Sequence, residues 1–276
     1  MENKTAIVIL NWNGKKFLEQ FLPAVIQHSR NARIIVADNA STDDSISYLK
    51  DKFPSVELIQ NESNGGFAKG YNDSLKHVDS EFYLLLNSDV EVTENWLIPL
   101  LKVMDDPRIA ACQPKVKSLS SRTNFEHAGA SGGYLDVNYF PFCRGRMLNT
   151  VEQDNGQYDH PSEVFWATGA CLMIRAKFFH EVGGFDEDFF AHMEEIDLCW
   201  RLKRLNHKIL VVPQSVVYHV GGGTLPYSSP RKTYLNFRNS LFMITKNHGG
   251  MLLPKILLRG ILDGVASIKK QSNELI

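Results

Sequence analysis

What this sequence lacks narrows it first. Of its 276 residues, 30 are Lys or Arg and 31 are Asp or Glu, a formal net charge of −1. Without a basic excess there is no global field to gather nucleic acid. Cysteine is scarce and scattered: Cys112, Cys143, Cys171 and Cys199 include no C-x-x-C pair. That spacing argues against a zinc site or a disulfide framework and suits thiols in a reducing cytosol. No uninterrupted apolar run approaches about 18 residues, so no spanning helix is expected. Met1-Glu2-Asn3-Lys4 leads straight into TAIVIL, too short for the apolar core of a secretory signal. Internal repeats and low-complexity linkers are missing, as are the G-x-G-x-x-G and Walker phosphate loops.

What is present is a core and a rhythm. Hydrophobic residues make up 43% of the chain and charged residues 22%, enough for a large domain that closes without disulfides or structural metal. In the N-terminal third, short apolar runs (TAIVIL, RIIVAD, VELIQ, EFYLLL) alternate with stretches of helical spacing. These stretches run from Lys15 to His28, from about Thr42 to Lys52 and from about Phe67 to Val78. The alternation predicts βαβ units, a mostly parallel sheet and right-handed crossovers. After a further helix over Glu94 to Met104 the pattern loosens into HAGASGGYLDVNYFPFCRGR, then VFWATGACLMI, then HEVGGFDEDFFAHMEEIDLCWRLKRL. This half reads as a smaller antiparallel element with helices.

Three of the early strands end alike. IVIL runs into Asn11-Trp12-Asn13, IIVA into Asp38-Asn39, and YLLL into Asn87-Ser88-Asp89. One polar strand end is a turn signal. Three in succession are expected to converge on one rim, because ligands of open α/β sheets bind beyond the carboxyl ends of the strands. Asn64-Gly65-Gly66 before Phe67 is a Gly-rich turn into a helix, which would expose backbone N–H groups to an anion such as a diphosphate; a plain βα turn reads equally well. Ser41 and Thr42 read as caps of the next helix, with Asp43 and Asp44 in its first turn. Asp38 precedes them and is available to accept hydrogen bonds from a base or ribose. Asp89 is placed to hold a divalent cation on diphosphate oxygens, and His219, ending VVYH, is either a second ligand or structural.

On a helical wheel of MEEIDLCWRLKRL, Glu194, Asp197, Arg201 and Arg204 share one arc, where ion pairs one turn apart would form a solvated or pocket-lining face. Glu195 falls elsewhere, between the directions of Leu202 and Cys199. Such an acid is either exposed before the helix is established, or desolvated and able to take a proton in a closed site. Burial would raise its pKa while the helix N-terminus pulls it down.

Taken in order, VILNWNG, VADNASTDDS, NGGFAKGYN, LLLNSDVEV, ATGACLMIR, GGFDEDFF and MEEIDLCWRL resemble glycosyltransferase family 2. Within it they are closest to the rhamnosyltransferase-like group that builds bacterial surface polysaccharides, over about residues 5 to 245. The resemblance implies an α/β GT-A fold: a Rossmann-like, mostly parallel central sheet flanked by helices, with a smaller antiparallel element and C-terminal helices. It implies a catalytic domain over 1–225, with a nucleotide-sugar half to about residue 105 and an acceptor half from about 106, then a helical extension over 226–276. The activity implied is metal-dependent, inverting transfer of a hexosyl or deoxyhexosyl group from a nucleotide-diphospho-sugar to a hydroxyl of a glycan or lipid-linked acceptor. Carried across, Asn11, Asn13 and Asp38 bind the nucleotide, with Asn64, Gly65, Gly66, Asn87 and Ser88 nearby. Asp89 holds Mg2+ or Mn2+ on the diphosphate, aided by His219. Gly169 and Ala170 lie along the sugar or acceptor pocket. Glu195 is the general base, with Glu194 positioning the acceptor and Asp197 the competing carboxylate. Two departures stand out: Asn87-Ser88-Asp89 replaces the family's common Asp-x-Asp, and Glu195 stands where Asp is usual.

The C-terminal stretch GGMLLPKILLRGILDGVASIKK sets Lys255, Arg259, Lys269 and Lys270 among aliphatics. It reads as an amphipathic helix, packed on the domain or lying on an anionic membrane surface at the cytoplasmic face. Two other functional readings stand beside transfer. A sugar nucleotidyltransferase would show a Gly-rich N-terminal turn followed by Arg and Lys, where this chain has NWNGKKF. A non-catalytic nucleotide-sugar-binding protein would need neither Asp89 nor Glu195.

Overall fold

The computed structural model describes residues 4–127, 129–147, 150–221 and 229–273, with side chains to residue 267. The four early apolar runs are parallel strands, β1 (Thr5–Asn11), β2 (Arg33–Asp38), β3 (Glu57–Gln60) and β4 (Phe82–Asn87). Residues on both faces of these strands, such as Ile7, Val8, Leu84 and Leu85, are fully buried. A strand covered on both sides has no polar face, which is why these runs are continuous rather than alternating. The covers are α1 (Lys15–His28), α2 (Ser45–Lys52) and α3 (Gly66–Leu75). α1 presents Leu18, Phe21, Leu22 and Val25 to the sheet, the spacing of one helical face.

Next come β5 (Val90–Val92), α4 (Leu97–Val103) and β6 (Ile109–Ser118). A small antiparallel sheet follows, made of β7 (Gly133–Leu135), β8 (Pro141–Cys143), β9 (Arg146–Met147) and β10 (Thr150–Val151). The chain then returns through β11 (Ser162–Glu163), β12 (Cys171–Arg175), α5 (Ala176–Glu181), a 3-10 turn over Glu187–Phe189, α6 (Glu194–Arg204) and β13 (Lys208–His219). Among the described residues the large sheet runs β11-β13-β6-β12-β4-β1-β2-β3, with β5 on β13. β12 is inserted antiparallel between β4 and β6. The expected parallel α/β sheet with a smaller antiparallel element is therefore present, and all four cysteines are buried thiols.

Register aligns the strand ends. Asn11 pairs with Asp38, and Leu10 with Asn87. β12 begins opposite Leu86, and β13 ends with His219 opposite Val90. The three polar strand ends, the Gly169-Ala170 turn and His219 thus meet at one edge of the sheet.

α2 starts later than the sequence suggests, and neither Ser41 nor Thr42 caps it. The Asn13 Oδ1 takes the backbone N–H of Thr42 at 2.7 Å and that of Asp43 at 3.2 Å, so these residues are bound to the β1 loop instead.

The C-terminal helices are α7 (Pro230–Asn247) and α8 (Leu252–Asn273). α7 is no appendage: Met243 and Ile244 are fully buried in the same core cluster as Leu198 and Leu202 of α6. α8 packs with its charges inward. Arg259 is buried, pairs with Asp263 at 3.0 Å, donates to Ser240 Oγ at 2.7 Å and stacks on Phe140. Lys255 donates to the Val137 carbonyl. Leu253, Leu257, Leu258, Ile261 and Val265 face outward. The expectation that Lys255 and Arg259 face a membrane is corrected, because protein carbonyls and Asp263 already satisfy them. The side chains of Lys269 and Lys270 lie outside the described residues. No described helix is long and apolar enough to cross a membrane.

Candidate active site

The rim begins with a buried polar knot. Asn11 donates to Asp38 Oδ2 at 2.9 Å and to Ser41 Oγ at 3.2 Å, while Asp38 Oδ1 takes the Ser41 N–H at 2.8 Å. Asp38 is fully buried, and its two oxygens support Asn11 and the Ser41 turn. Asn11 Oδ1 is buried with no partner and packs against Gly14, where a Cβ would lie 2.5 Å from it. Asn13, at φ 49°, holds the 41–43 loop across it.

Of the two readings of Asn64, Gly65 and Gly66, the plain βα turn is the one formed. Gly66 N–H donates to Asn64 Oδ1 at 2.9 Å, and Phe67 N–H donates to the Phe190 carbonyl at 2.6 Å. The start of α3 is thus capped by protein. Gly66 sits at φ +83°, and a Cβ there would lie 2.3 Å from that same carbonyl, so the glycine permits the close docking of the 190 loop.

Asp89 and His219 meet as the strand ends imply, with Nε2···Oδ1 at 3.1 Å. A third group joins them: Glu126 Oε1 lies 3.6 Å from His219 Nδ1. Burial opposes charge on the ring, but hydrogen bonds and attraction from Asp89 and Glu126 outweigh it and raise His219 to about 10. Two buried carboxylates thus flank one imidazole. Carboxylate oxygens with one imidazole suit a divalent cation that brings further oxygen ligands with it. Among the described residues no group of three or more His, Cys, Asp or Glu side chains is arranged to hold an ion unaided.

The start of α6 closes the site. Gly169 faces Glu195: a Cβ there would lie 3.8 Å from Glu195 Cβ and 3.1 Å from the Phe67 ring. Glu195 is half-buried and its Oε2 has no hydrogen-bond partner. Burial, partly countered by the N–H groups of the helix start, lifts its carboxyl to about 7. Glu194 is buried with an unpartnered Oε2, and burial with the neighbouring Glu195 and Asp197 holds it well above the usual carboxylate range. The expected ion-paired arc is therefore only half formed. Asp197 does pair with Arg201, at 2.8 Å, and also accepts from Asn247 of α7 at 2.7 Å. Glu194 pairs with no arginine among the described residues and is not solvated.

The loop before α6 carries positive φ at Phe190, His192 and Met193, none of them glycine. α7 holds it there. The fully buried Asn239 amide lies 2.8, 2.9 and 2.7 Å from the carbonyls of Phe189, Ala191 and His192, and Arg238 donates to those of Asp188 and Phe189. Sequence reasoning missed Glu126, Arg238, Asn239 and Asn247. None carries a periodic signal of its own; only FEHAG, with an acid and a His beside small residues, offered a hint.

A covered α/β sheet with an inserted antiparallel strand and a polar rim at its strand ends is the GT-A glycosyltransferase architecture. The sequence profile of glycosyl transferase family 2 matches residues 6–183, and the chain belongs to that family. Among similar sequences is the N-acetylglucosaminyl-diphospho-decaprenol L-rhamnosyltransferase of Mycobacterium tuberculosis (strain CDC 1551 / Oshkosh), 25% identical over 236 residues, 79% of this chain and 76% of that protein. Rhamnosyltransferase WbbL of Escherichia coli (strain K12) is 24% identical over 230 residues, 77% and 82% of the two chains. The crystal structure of GalNAc-T7 with UDP, GalNAc and Mn2+ matches with a TM-score of 0.68 at 18% identity, over 88% of this chain and 48% of that one. Mannosyltransferase PcManGT from Pyrobaculum calidifontis, in complex with GDP-Man and Mn2+, matches with 0.64 at 12% identity, over 100% and 81%. At these identities the structural likeness speaks for the fold alone. The profile ends before α6, so Glu195, His219 and the α7 clamp lie outside it.

Asn239→Ala should leave buried carbonyls unpaired and cost about 1–3 kcal/mol of stability. Urea denaturation checks this. A variant as stable as the parent would place the support of the 190 loop elsewhere.

Proposed function

We propose that this chain transfers a hexosyl or deoxyhexosyl group, with inversion, from a nucleotide-diphospho-sugar to a hydroxyl of a glycan or lipid-linked acceptor, in surface-polysaccharide synthesis. Membership of the family supports glycosyl transfer. The observation that carries the mechanism is Glu195: a carboxylate with an unpartnered Oε2, raised to about 7 by burial, beside the small Gly169. In a single displacement the acceptor oxygen attacks C1 of the sugar from the face opposite the leaving group. Glu195 takes the hydroxyl proton as the new bond forms. Glu194 stays protonated beside it, so one negative charge, not two, faces the acceptor. Asp197 is committed to Arg201 and Asn247 and serves to fix α6 against α7. Asn11, held by Asp38, offers its unpartnered oxygen to the nucleotide, with Asn13, Asn87 and Ser88 on the same rim. Asp89 and His219 would hold Mg2+ or Mn2+, which supplies positive charge against the departing diphosphate. We take the catalytic unit to run through α7.

Glu195→Gln keeps the shape and removes the proton acceptor, so turnover should fall by about 10²–10⁴-fold with donor affinity near the parent's. In the parent, rate should rise with pH through about 7 as the carboxyl loses its proton. Steady-state transfer assays across pH, with Asp197→Asn alongside, check both. If Glu195→Gln keeps most of its activity while Asp197→Asn is inactive, the base is Asp197. Release of free nucleoside diphosphate, not pyrophosphate, separates transfer from nucleotidyl chemistry.

Metal dependence is tested at Asp89. Asp89→Asn should weaken Mn2+-dependent binding of a nucleoside diphosphate by at least about tenfold, roughly 1.4 kcal/mol. Unchanged titration calorimetry would remove Asp89 from the metal site.

The location we propose is the cytoplasmic membrane face, reached by the outward stripe Leu253, Leu257, Ile261 and Val265 of α8 rather than by its inward cations. The parent should co-sediment with anionic vesicles, and Leu257→Asp with Ile261→Asp should abolish this. Equal sedimentation of both would mean that the stripe does not meet lipid.

A further inference from the structure

One strong charge near the site has no carboxylate partner among the described residues. Arg146, in β9, is half-buried and its Nε is buried without a hydrogen-bond partner. Its Nη1 donates to His127 Nδ1 at 2.7 Å. An imidazole is neutral or cationic and cannot balance a guanidinium. No carboxylate makes an ion pair with Arg146 among the described residues. Three other buried or half-buried cations have carboxylate partners: Lys115 is held by Asp154 and Asp159, Arg201 by Asp197 and Arg259 by Asp263, while Arg238 is satisfied by the Asp188 and Phe189 carbonyls. Arg144, two residues before, has an unpartnered Nη2, but it donates to the Ser131 carbonyl and lies over the Tyr158 ring, so packing accounts for it.

Arg146 is joined to the site through His127, to which it bonds at 2.7 Å; His127 follows Glu126, whose Oε1 lies 3.6 Å from His219 Nδ1. His127 and Glu126 line a cavity of about 250 Å³ with Ser118, Ser120, Asn124 and Val220, the last adjoining His219. Lys232 of α7 lies within reach of His127 and His192, adding a second cation on this side. A guanidinium fork, oriented by an imidazole, half-desolvated and without a carboxylate, matches the planar bidentate recognition of phosphate oxygens.

We propose that Arg146, oriented by His127, is a phosphate-binding subsite of this enzyme. The phosphoryl group comes from one of two sources, the diphosphate of the sugar donor or a phosphate or diphosphate carried by the acceptor. This deepens the transfer reading and rests on it for the naming of the two sources.

The test reads binding by titration calorimetry with Arg146→Gln and Arg146→Lys. One arm titrates uridine and thymidine diphosphates with Mn2+; the other titrates inorganic pyrophosphate into protein already saturated with nucleoside diphosphate. A loss of at least about tenfold in the first arm alone, the size expected for a lost hydrogen bond to a charged group, assigns the subsite to the donor. The same loss in the second arm alone assigns it to the acceptor. Arg146→Lys should lose less than Arg146→Gln, since it keeps charge but not the fork. If thermal melting shows that Arg146→Gln is unfolded, Arg146→Lys decides by itself, and weakening in either arm supports the subsite. Parent-like affinity of the folded variants in both arms overturns the proposal, as does a parent that binds neither probe. Turnover is not read, so a protein that binds as expected yet transfers no sugar would sink the transferase reading and leave the subsite standing.

Discussion

The site depends on a run of backbone that would not hold its shape alone. Phe190, His192 and Met193 all sit at positive φ, a conformation that costs L-residues roughly 1–2 kcal/mol each. It persists because the surroundings over-determine it. Asn239 and Arg238 of α7 take the carbonyls on one side, and the first N–H groups of α3 take the Phe190 carbonyl on the other. One stretch of chain therefore links α3, α6 and α7. Its output is the direction of α6, whose first turn delivers Glu194 and Glu195 to the rim.

Charge is distributed across that rim with little waste. On one side the Asp89, His219 and Glu126 cluster carries two carboxylates and one imidazolium. At the start of α6, burial holds Glu194 well above the usual carboxylate range and raises Glu195 to about 7. Asp197 is held by Arg201 and by Asn247 of α7. Arg146, bonded to His127, makes no ion pair with a carboxylate among the described residues. A rim that carries both signs is suited to a substrate that is itself an anion at one end and a proton donor at the other.

Much of this was legible before any coordinates. Apolar runs with polar ends announced the strands and the rim, because a strand buried on both faces tolerates no polar residue until it leaves the sheet. The expectations that failed did so for one reason. Ser41 and Thr42 looked like caps, and Asn64-Gly65-Gly66 like either an anion cradle or a plain βα turn, because local rules consider only neighbours in sequence. In the fold, Asn13 and the Phe190 carbonyl reach those N–H groups first. The same holds for α8, whose amphipathic pattern was visible but whose orientation was inverted. A pattern of two faces does not say which one is covered, and here Ser240, Phe140 and the 137–139 carbonyls made the charged face the inner one.

By itself, then, the sequence determined the alternation of strands and helices, the polar ends of β1, β2 and β4, and the unusual place of Glu195 on its helix. These follow from periodicity and burial, properties of residues close together in the chain. Tertiary structure alone decided that Glu126 joins His219, that Asn239 holds the 190 loop, that Asp197 is occupied and that Arg146 is left without a carboxylate. Each is a contact, or a missing contact, between segments far apart in sequence. Hydrogen bonds and ion pairs act over a few ångströms of space, and only the folded chain says which groups come that close.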